Sequence, residues 1–503
     1  MDAIALEHHL TSPQGHRRRP AGAFTATAGG FACGDEIDLS IKVIGDRVTD
    51  AGFDARGCGA TTAAGSAAVT LARGTSILEA ARIGPTDVAE ELGGLSAGKR
   101  HAAELAADAL ARALGAAVRD RERLLGVAGR RTLVAMSGGV DSAVAALLCA
   151  READTATVTL ELWADAEHDA ERSCCSASAV AQARSLAHAM GLPHFTIELR
   201  KEFRAGVVEP FIDAFAAGET PNPCVGCNGH VRLDAMLELA DRLGCEQLAT
   251  GHYARIADPD HADGPLLRAA VDPAKDQTYM LAALSPASLA RMCFPLGELT
   301  KPEVRAMAAE AGLPVASKAD SQDLCFLTGT DRARFLARHG DLGEMPGQIV
   351  DAEGNVIGQH GGQHRFTVGQ RRGIGVGAAG EPLYVLDKDA IANRVIVGPR
   401  GALCTTNVGI RDVRLHRPAA RIDRVKLRYR SRPVPCHLVG NPDPGRHLRL
   451  ELELSEPVDG AAPGQLACLL DGELVVGWAT IARGRDGRRY RALKSAFCTS
   501  DLA

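Results

Sequence analysis

From residue 131 onward, short apolar runs alternate with amphipathic helical stretches. The run 132–136 is apolar, and an Ala/Leu-rich helical pattern follows it after a loop of small residues. Residues 155–163 read as a second strand, 177–191 as a helix and 194–199 as a strand. A further helix is predicted over 231–244, then a strand over 247–250 that ends at Gly251-His-Tyr253. Strands alternating with helices predict a parallel, doubly wound α/β sheet whose ligands sit at the carboxyl ends of the strands. Upstream, 37–43 alternates as a strand, 47–55 reads as its hairpin partner, and Ala-rich helical patterns run from Thr61 through Leu110, which together give an α+β unit. Beyond about residue 340, Gly, Pro and short alternating runs at 395–397, 448–454, 466–470 and 474–481 read as hairpins of a small β-barrel. Such a barrel binds RNA in some proteins and packs as a lid in others, so its fold alone assigns no role.

Composition narrows the class. At 503 residues, 46% hydrophobic and 24% charged, the chain reads as a soluble multidomain protein. No run of about 20 apolar residues predicts a membrane span, and the acidic, non-apolar start argues against secretion, so a cytoplasmic location is expected. The 14 cysteines are scattered, which in a reducing compartment points to buried, metal-binding or reactive thiols. The 4% aromatic content argues against a large base-stacking surface and the net charge of −5 against an obvious nucleic-acid binder overall, yet residues 411–432 carry nine Arg or Lys against two Asp, a candidate polyanion surface.

The first chemical focus is Thr132-Leu-Val-Ala-Met-Ser-Gly-Gly-Val-Asp-Ser142. A strand, a small-residue loop and a helix start form an anion cradle from backbone N–H groups. Gly138 and Gly139 allow close approach, Ser137 and Ser142 add hydroxyls, and Asp141 suits Mg²⁺. The Ser-Gly-Gly-Val-Asp-Ser string resembles the pyrophosphate loop of ATP pyrophosphatases, which adenylate a substrate oxygen. The second focus is Pro221-Asn-Pro-Cys224-Val-Gly-Cys227-Asn228, with a helix expected to start after Asn228 and to activate a nearby thiol. By itself the C-x-x-C leaves zinc, redox or sulfur transfer, and a merely packed pair open. Cys325, in the polar run Asp320-Ser-Gln-Asp-Leu-Cys-Phe326, is the expected partner. In the N-terminal unit, Cys33, Asp35, Cys58 and His101 form a candidate iron or zinc set, with two packed cysteines as the alternative. The near-Walker run 93–100 ends in Arg100 where Ser or Thr is required, and Gly375, Gly377 and Gly380 lack a flanking strand and helix; both are expected to be loops.

Further motifs lie in one order: Thr250-Gly-His-Tyr253, Lys275-Asp-Gln-Thr-Tyr279, Thr367-Val-Gly-Gln-Arg-Arg-Gly373, Arg428-Tyr-Arg430 and Pro463-Gly-Gln465. With the two foci and the Cys325 run, they resemble the tRNA-uridine 2-sulfurtransferase (MnmA/TrmU) family over residues 130–482. The first 125 residues, from Leu6-Glu-His-His-Leu10 through His101, resemble the IscU/NifU iron–sulfur scaffolds, except that Ala102 stands where that family has its third cysteine.

The resemblance implies a scaffold-like α+β domain over 1–125 and an adenine-nucleotide α-hydrolase-like pyrophosphate-loop domain over 130–335. A β-rich tRNA-contacting domain over 336–400 and a barrel over 401–503 would complete the chain. It also implies two-step chemistry on a wobble uridine: ATP adenylates the 2-oxygen, then sulfur displaces AMP. Ala135, Met136, Ser137, Gly138, Gly139, Val140, Asp141, Ser142, Leu160 and Gly251 would contact ATP, with Leu160 standing where methionine is common. Cys227 would handle sulfur, as a persulfide resolved by Cys325. Asn222, Pro223, Cys224, His252, Lys275, Asp276, Gln277, Arg428, Tyr429 and Gln465 would contact tRNA. Because Cys224 replaces the usual Asp, Cys224, Cys227 and Cys325 are also candidate ligands of a 4Fe–4S cluster. The expected partners are tRNAs for Lys, Glu and Gln and a cysteine desulfurase or other sulfur donor. Readings from other classes are an amidotransferase-like synthetase and a non-catalytic iron–sulfur carrier.

Overall fold

The computed structural model describes residues 3–29, 34–120, 130–165, 177–258, 263–320, 324–376 and 382–484. They form two compact units. One comprises Met1–Lys201, Arg232–Tyr253 and Arg291–Thr328, and the other Glu202–Val231, Ala254–Ala290 and Gly329–Ala503.

The first unit opens with a three-stranded antiparallel sheet, Phe24–Gly29, Glu36–Ile44 and Arg47–Arg56. Ile37, Leu39, Ile41 and Val43 alternate inward and are fully buried. Helices Gly59–Ala72 and Arg100–Asp120 cover that face, and their many alanines let backbones approach closely. Downstream, five parallel strands lie in the order Met292–Cys293, Gln247–Thr250, Arg131–Ala135, Asp154–Glu161 and His194–Glu198. The order steps outward in both directions from Arg131–Ala135, and such a switch point opens a crevice at the strands' carboxyl ends.

The edge strand His194–Glu198 does not face water. Helix Arg100–Asp120 lies along it, with Gly115 close enough to Thr196 that no Cβ fits between. His194 N donates to Ala81 O (2.8 Å) and Arg82 Nε to Gly191 O (3.1 Å), so the N-terminal segment also binds the sheet rim. A buried ion network completes the joint. Asp108 accepts from Arg112 (2.9 Å) and pairs with Arg184, while Glu161 pairs with Arg112 and with Arg200 (3.1 Å). Burial opposes ionisation of Asp108, but the two guanidiniums outweigh it and hold its carboxyl below the ordinary range.

The second unit holds two β assemblies. Val356–His360, Gly347–Val350, Arg394–Gly398 and Tyr384–Asp389 form a four-stranded sheet over Ile349, Phe366, Val385, Val395 and Val397. Alternation alone grouped 395–397 with the barrel hairpins; the strand lies in this sheet, inside the 336–400 segment, because 394–396 pairs in parallel with 348–350, and alternation does not name a strand's partner. The barrel runs Cys404–Leu415, Gly445–Asp459, Val434–Leu438, Arg424–Lys426, Leu466–Asp471 and Leu474–Ile481, and closes through pairing of its first and last strands. Val408, Ile410, Val413, Leu452, Leu469 and Val476 fill it. Among the described residues no helix is long and apolar enough to cross a membrane.

Asp108→Asn leaves two guanidiniums short of their shared carboxylate at a buried joint. It should cost ~3 kcal/mol, read by denaturant melts of the full chain. Because the folded-state pKa is depressed, the wild-type advantage is complete above the unfolded carboxyl range near pH ~4 and fades as pH falls through the folded value. An equal melt for both proteins at pH 7 would contradict this.

Candidate nucleotide, thiol and metal sites

Strand Arg131–Ala135 is buried at every residue and delivers the loop that follows to the sheet's carboxyl edge. Ala135 and Met136 are 4% and 2% exposed, so only their backbones face the crevice. Gly138 takes a left-handed φ of 69°, and a Cβ there would meet Ala179 O at 2.8 Å. Gly139 caps helix Val140–Glu152. The loop is closed by Ser142: its Oγ accepts Ser137 N (3.1 Å), lies 3.2 Å from Ser137 Oγ and donates to Gly139 O (3.1 Å). Ser142 is therefore a brace, and the other N–H groups of the turn are what the loop presents to an anion. Gly251, from the adjacent strand end, packs so tightly that a Cβ would stand 2.7 Å from Ser142 N. Leu160 lies near the end of the neighbouring strand with its side chain buried.

Asp141 projects from the first turn of the helix. Its carboxylate accepts from Tyr253 OH (2.9 Å) and pairs with Lys301 Nζ at 2.7 and 2.8 Å. The same ammonium reaches Asp320 (2.8 Å), and Lys318 Nζ donates to Gly138 O (3.0 Å). These lysines went unnoticed in the sequence, where a Lys-Pro helix start and a Lys in a polar run carry no signal of what lies opposite.

The thiol segment belongs to the second unit. The chain is already helical from Pro223–Gly226 and continues through Cys227–Arg232, so the helix begins before Cys224 and not after Asn228. Asn222 is its cap: Oδ1 accepts Cys224 N (3.2 Å), and Pro223 pre-sets the first turn. Cys224 and Cys227, three apart, share one helical face; Cys227 is 9% exposed and Cys224 half-buried. Asn222 Nδ2 reaches Met280 Sδ (3.4 Å) and Asn228 Nδ2 reaches Met280 O (3.2 Å), which ties this turn to the Lys275–Tyr279 motif. Gln465 donates to Thr220 O (2.5 Å) and holds the lead-in segment. Cys325 lies in the first unit, opening the 3-10 turn Cys325–Leu327, half-buried.

In the N-terminal sheet, Asp35, Cys58 and His101 present ligand atoms all within 4.8 Å of one another. Cys58 caps helix Gly59–Ala72, and its thiol is pulled down by the Thr61 hydroxyl, with Lys99 Nζ 3.4 Å away. Asp35 is held low by the same hydroxyl (2.7 Å), then by His101 (3.1 Å). Thiolate, carboxylate and imidazole suit zinc or iron. Cys33 lies outside the described residues. Ala102 is fully buried in helix Arg100–Asp120, next to His101. The run 93–100 is a loop and short 3-10 turn, as its sequence suggested, while Gly377 and Gly380 lie outside the described residues.

Several tRNA-contact candidates are engaged within the fold. Asp276 accepts from Thr278 Oγ1 (2.9 Å) and Ala270 N (3.2 Å), Lys275 and Gln277 flank it, and Arg428 donates to Gly460 O (2.7 Å). Tyr429 lies 6.2 Å from Tyr279, ring to ring. Burial holds His252 near a pKa of about 3, with Arg232 adding to the effect, and Nδ1 lies 2.8 Å from Thr250 Oγ1; it acts as a neutral ring. The basic run 411–432 is not one cationic face. Arg417 is 1% exposed and bonds backbone carbonyls, while Arg411, Arg421 and Arg432 pair with Glu219, Asp471 and Glu456. A charge count along a strand does not see partners brought by other strands.

Four family models match: a NifU-like N terminal domain over residues 6–122, a tRNA methyl transferase HUP domain over 130–329, a tRNA methyl transferase PRC-barrel domain over 333–399, and an aminomethyltransferase beta-barrel domain over 413–481. The bifunctional protein NifU/MnmA of Rubrobacter xylanophilus is 44% identical, over 94% of this chain and 97% of its own. The chain belongs to the NifU/MnmA family.

The MnmA part alone is matched by tRNA-specific 2-thiouridylase MnmA of Chloroflexus aggregans, 44% identical over 71% of this chain and 99% of that protein. The Solibacter usitatus protein of that name is 41% identical over 68% and 97%. The NifU/MnmA join thus coincides with the physical joint at helix Arg100–Asp120 and strand His194–Glu198. Gly251→Ala should displace Ser142 and the loop with it, since the clash is with backbone. Nucleotide affinity, read by calorimetry, should fall about tenfold or more while the circular dichroism spectrum is kept; unchanged affinity would show that the loop does not need this contact.

Proposed function

We propose that this chain thiolates tRNA at the 2-position of a uridine, using ATP to activate the oxygen. The observation that carries the reading is the braced loop at residues 137–142, set at the switch point of a parallel sheet in a chain of the NifU/MnmA family. The loop's N–H groups and the helix start hold the triphosphate. Asp141 would hold Mg²⁺, which neutralises phosphate charge as pyrophosphate leaves. The uridine 2-oxygen attacks the α-phosphorus, the bond to pyrophosphate breaks, and the resulting O-adenylate makes AMP the leaving group. The outer sulfur of a Cys227 persulfide bonds to C2 and AMP departs with the former 2-oxygen; the Cys325 thiolate then attacks Cys227 Sγ, which breaks the S–S bond, frees the thiouridine and leaves a Cys227–Cys325 disulfide for an external thiol reductant to reopen. Asn222 and Pro223 would border the extruded base, with His252, Lys275, Gln277, Tyr429 and Arg428 toward the tRNA and Gln465 positioning Thr220. The acceptors would be the tRNAs for Lys, Glu and Gln, and a cysteine desulfurase or other donor would supply sulfur. The Asp35–Cys58–His101 group, with Cys33, would hold a metal ion or cluster in the service of that supply.

A second reading of the sulfur step, a 4Fe–4S cluster on Cys224, Cys227 and Cys325, is favoured by Cys224 standing one turn from Cys227 on the same face. The test is anaerobic thiolation of a wobble-uridine transcript with ATP, run in parallel with sulfide (for a cluster) and with L-cysteine plus a cysteine desulfurase (for a persulfide), with bound iron quantified. Cys227→Ser and Cys325→Ser should lower thiolation about a hundredfold or more while tRNA-dependent pyrophosphate release persists. Cys224→Ser should lose activity together with iron if the cluster carries sulfur, and keep activity if a persulfide does. Pyrophosphate release with a small acid and ammonia in place of tRNA would overturn the thiolase reading in favour of a synthetase. Failure to bind ATP would favour a carrier.

A further inference from the structure

The barrel does carry a cationic surface, but strand pairing builds it, and half of it comes from outside the run 411–432. Strand Cys404–Leu415 pairs on one edge with Gly445–Asp459 and on the other with Leu474–Ile481. The first register sets Arg411 opposite Arg449 and Arg414 opposite Arg446; the second sets Arg411 opposite Thr480 and Arg414 opposite Trp478. Paired residues project from the same side of a sheet, so two arginines meet in each row, and no carboxylate faces them from the third strand. Arg446 and Arg449 are exposed, and Arg414 is half-buried. Arg411 is neutralised by Asp412 (2.6 Å) and Glu219 (2.8 Å), whereas the other three are not. Arg414 and Arg446 make no side-chain hydrogen bond or ion pair with any described residue. Arg449 lies over Gly409 with Nη2 on Arg483 O (2.9 Å), and it has no carboxylate partner among the described residues. The acids of its strand, Glu451 and Glu453, stand opposite Gly409 and Asn407, beyond the arginine rows.

Like charges directly opposite one another destabilise a strand pair, and this barrel carries two such pairs on neighbouring rows. A polyanion lying along the rows removes that repulsion, since each guanidinium offers a fork of N–H donors that matches phosphate oxygens. The place of the rows says which polyanion. Arg411 holds Glu219, and Gln465 holds Thr220, at the root of the segment that leads to Asn222 and Cys227. From Arg411 to Arg414 the strand advances ~10 Å, so the unpaired guanidiniums begin beside the anchor of the thiol turn and run outward from it. We propose that Arg449, Arg414 and Arg446 form a track for the tRNA phosphate backbone next to the extruded nucleotide. Contacts of this kind fix the register of a strand and carry no sequence information, which suits an enzyme that must hold the strand while one base leaves its stack. The identity of the occupant rests on the proposed thiolase function; the surface itself is read from the strand register and the unpaired arginines.

The test measures binding of an unmodified wobble-uridine tRNA transcript to the full chain by fluorescence anisotropy across a potassium chloride series. The double variant Arg414→Gln, Arg446→Gln should bind about tenfold or more weaker at ~0.1 M salt, and its slope of log K against log salt should be shallower by about two. Arg449→Gln should make the slope shallower by about one. In thiolation, the KM for tRNA should rise in these variants with a smaller change in kcat. Arg446→Glu guards against poor folding, because it puts a carboxylate opposite Arg414: thermal stability should not fall, while tRNA affinity should. Arg400→Gln, whose guanidinium is paired with Asp459, should leave affinity and slope unchanged. Wild-type affinity and slope in the Gln variants would overturn the track. So would loss of a dimer in sedimentation velocity on Arg446→Glu with tRNA affinity kept, which would give this face to the acidic end of the same strand in a second copy. A wild type that binds tRNA through these arginines but thiolates nothing would overturn the function and not the track.

Discussion

Strand Arg131–Ala135 is paired in parallel on both edges, to Asp154–Glu161 and to Gln247–Thr250, and every group at the nucleotide site takes its place from that pairing. The register sets Ala135 opposite Thr250, so the loop after one strand and Gly251 after the other emerge side by side. Their backbones pack without room for a side chain, and Ser142 ties the loop to itself. An anion site made of backbone N–H groups needs such bracing, because the donors must stay aimed while the ligand comes and goes.

The same sheet explains why an iron–sulfur scaffold-like segment fits so closely to a nucleotide domain. A parallel sheet is normally covered, and its edge strand is a row of unpaired backbone groups. Helix Arg100–Asp120 covers the His194–Glu198 edge, with Asp108 and Glu161 shared among three arginines at the joint. His101, part of the candidate metal group, is the second residue of that helix, and Asp108 follows seven residues later, ~10 Å along a rigid rod. The metal group is therefore fixed relative to the nucleotide sheet.

The two thiol regions differ in how they are held. Cys224 and Cys227 sit on a turn capped by Asn222, stiffened by Pro223 and anchored through Met280 and Gln465. Cys325, in the other unit, opens the short 3-10 turn Cys325–Leu327 and is half-buried.

Much of this was legible in the chain. Alternation at 37–43, the β/α rhythm from 131 to 250 and the Ser-Gly-Gly-Val-Asp-Ser loop are local, because side-chain period and glycine conformation act over a few residues. The candidate metal group was also readable by residue type, and three of its members converge. What the sequence did not determine were partners distant along the chain. By alternation alone it grouped 395–397 with the barrel hairpins, since a strand's pattern says which face is buried and not which strand lies beside it. It read 411–432 as a cationic face, since Glu219, Glu456 and Asp471 come from elsewhere. It assigned Asp141 to a metal ion without seeing Lys301, 160 residues away, because an ion pair is decided by distance in space and burial, and those exist only once the chain has folded.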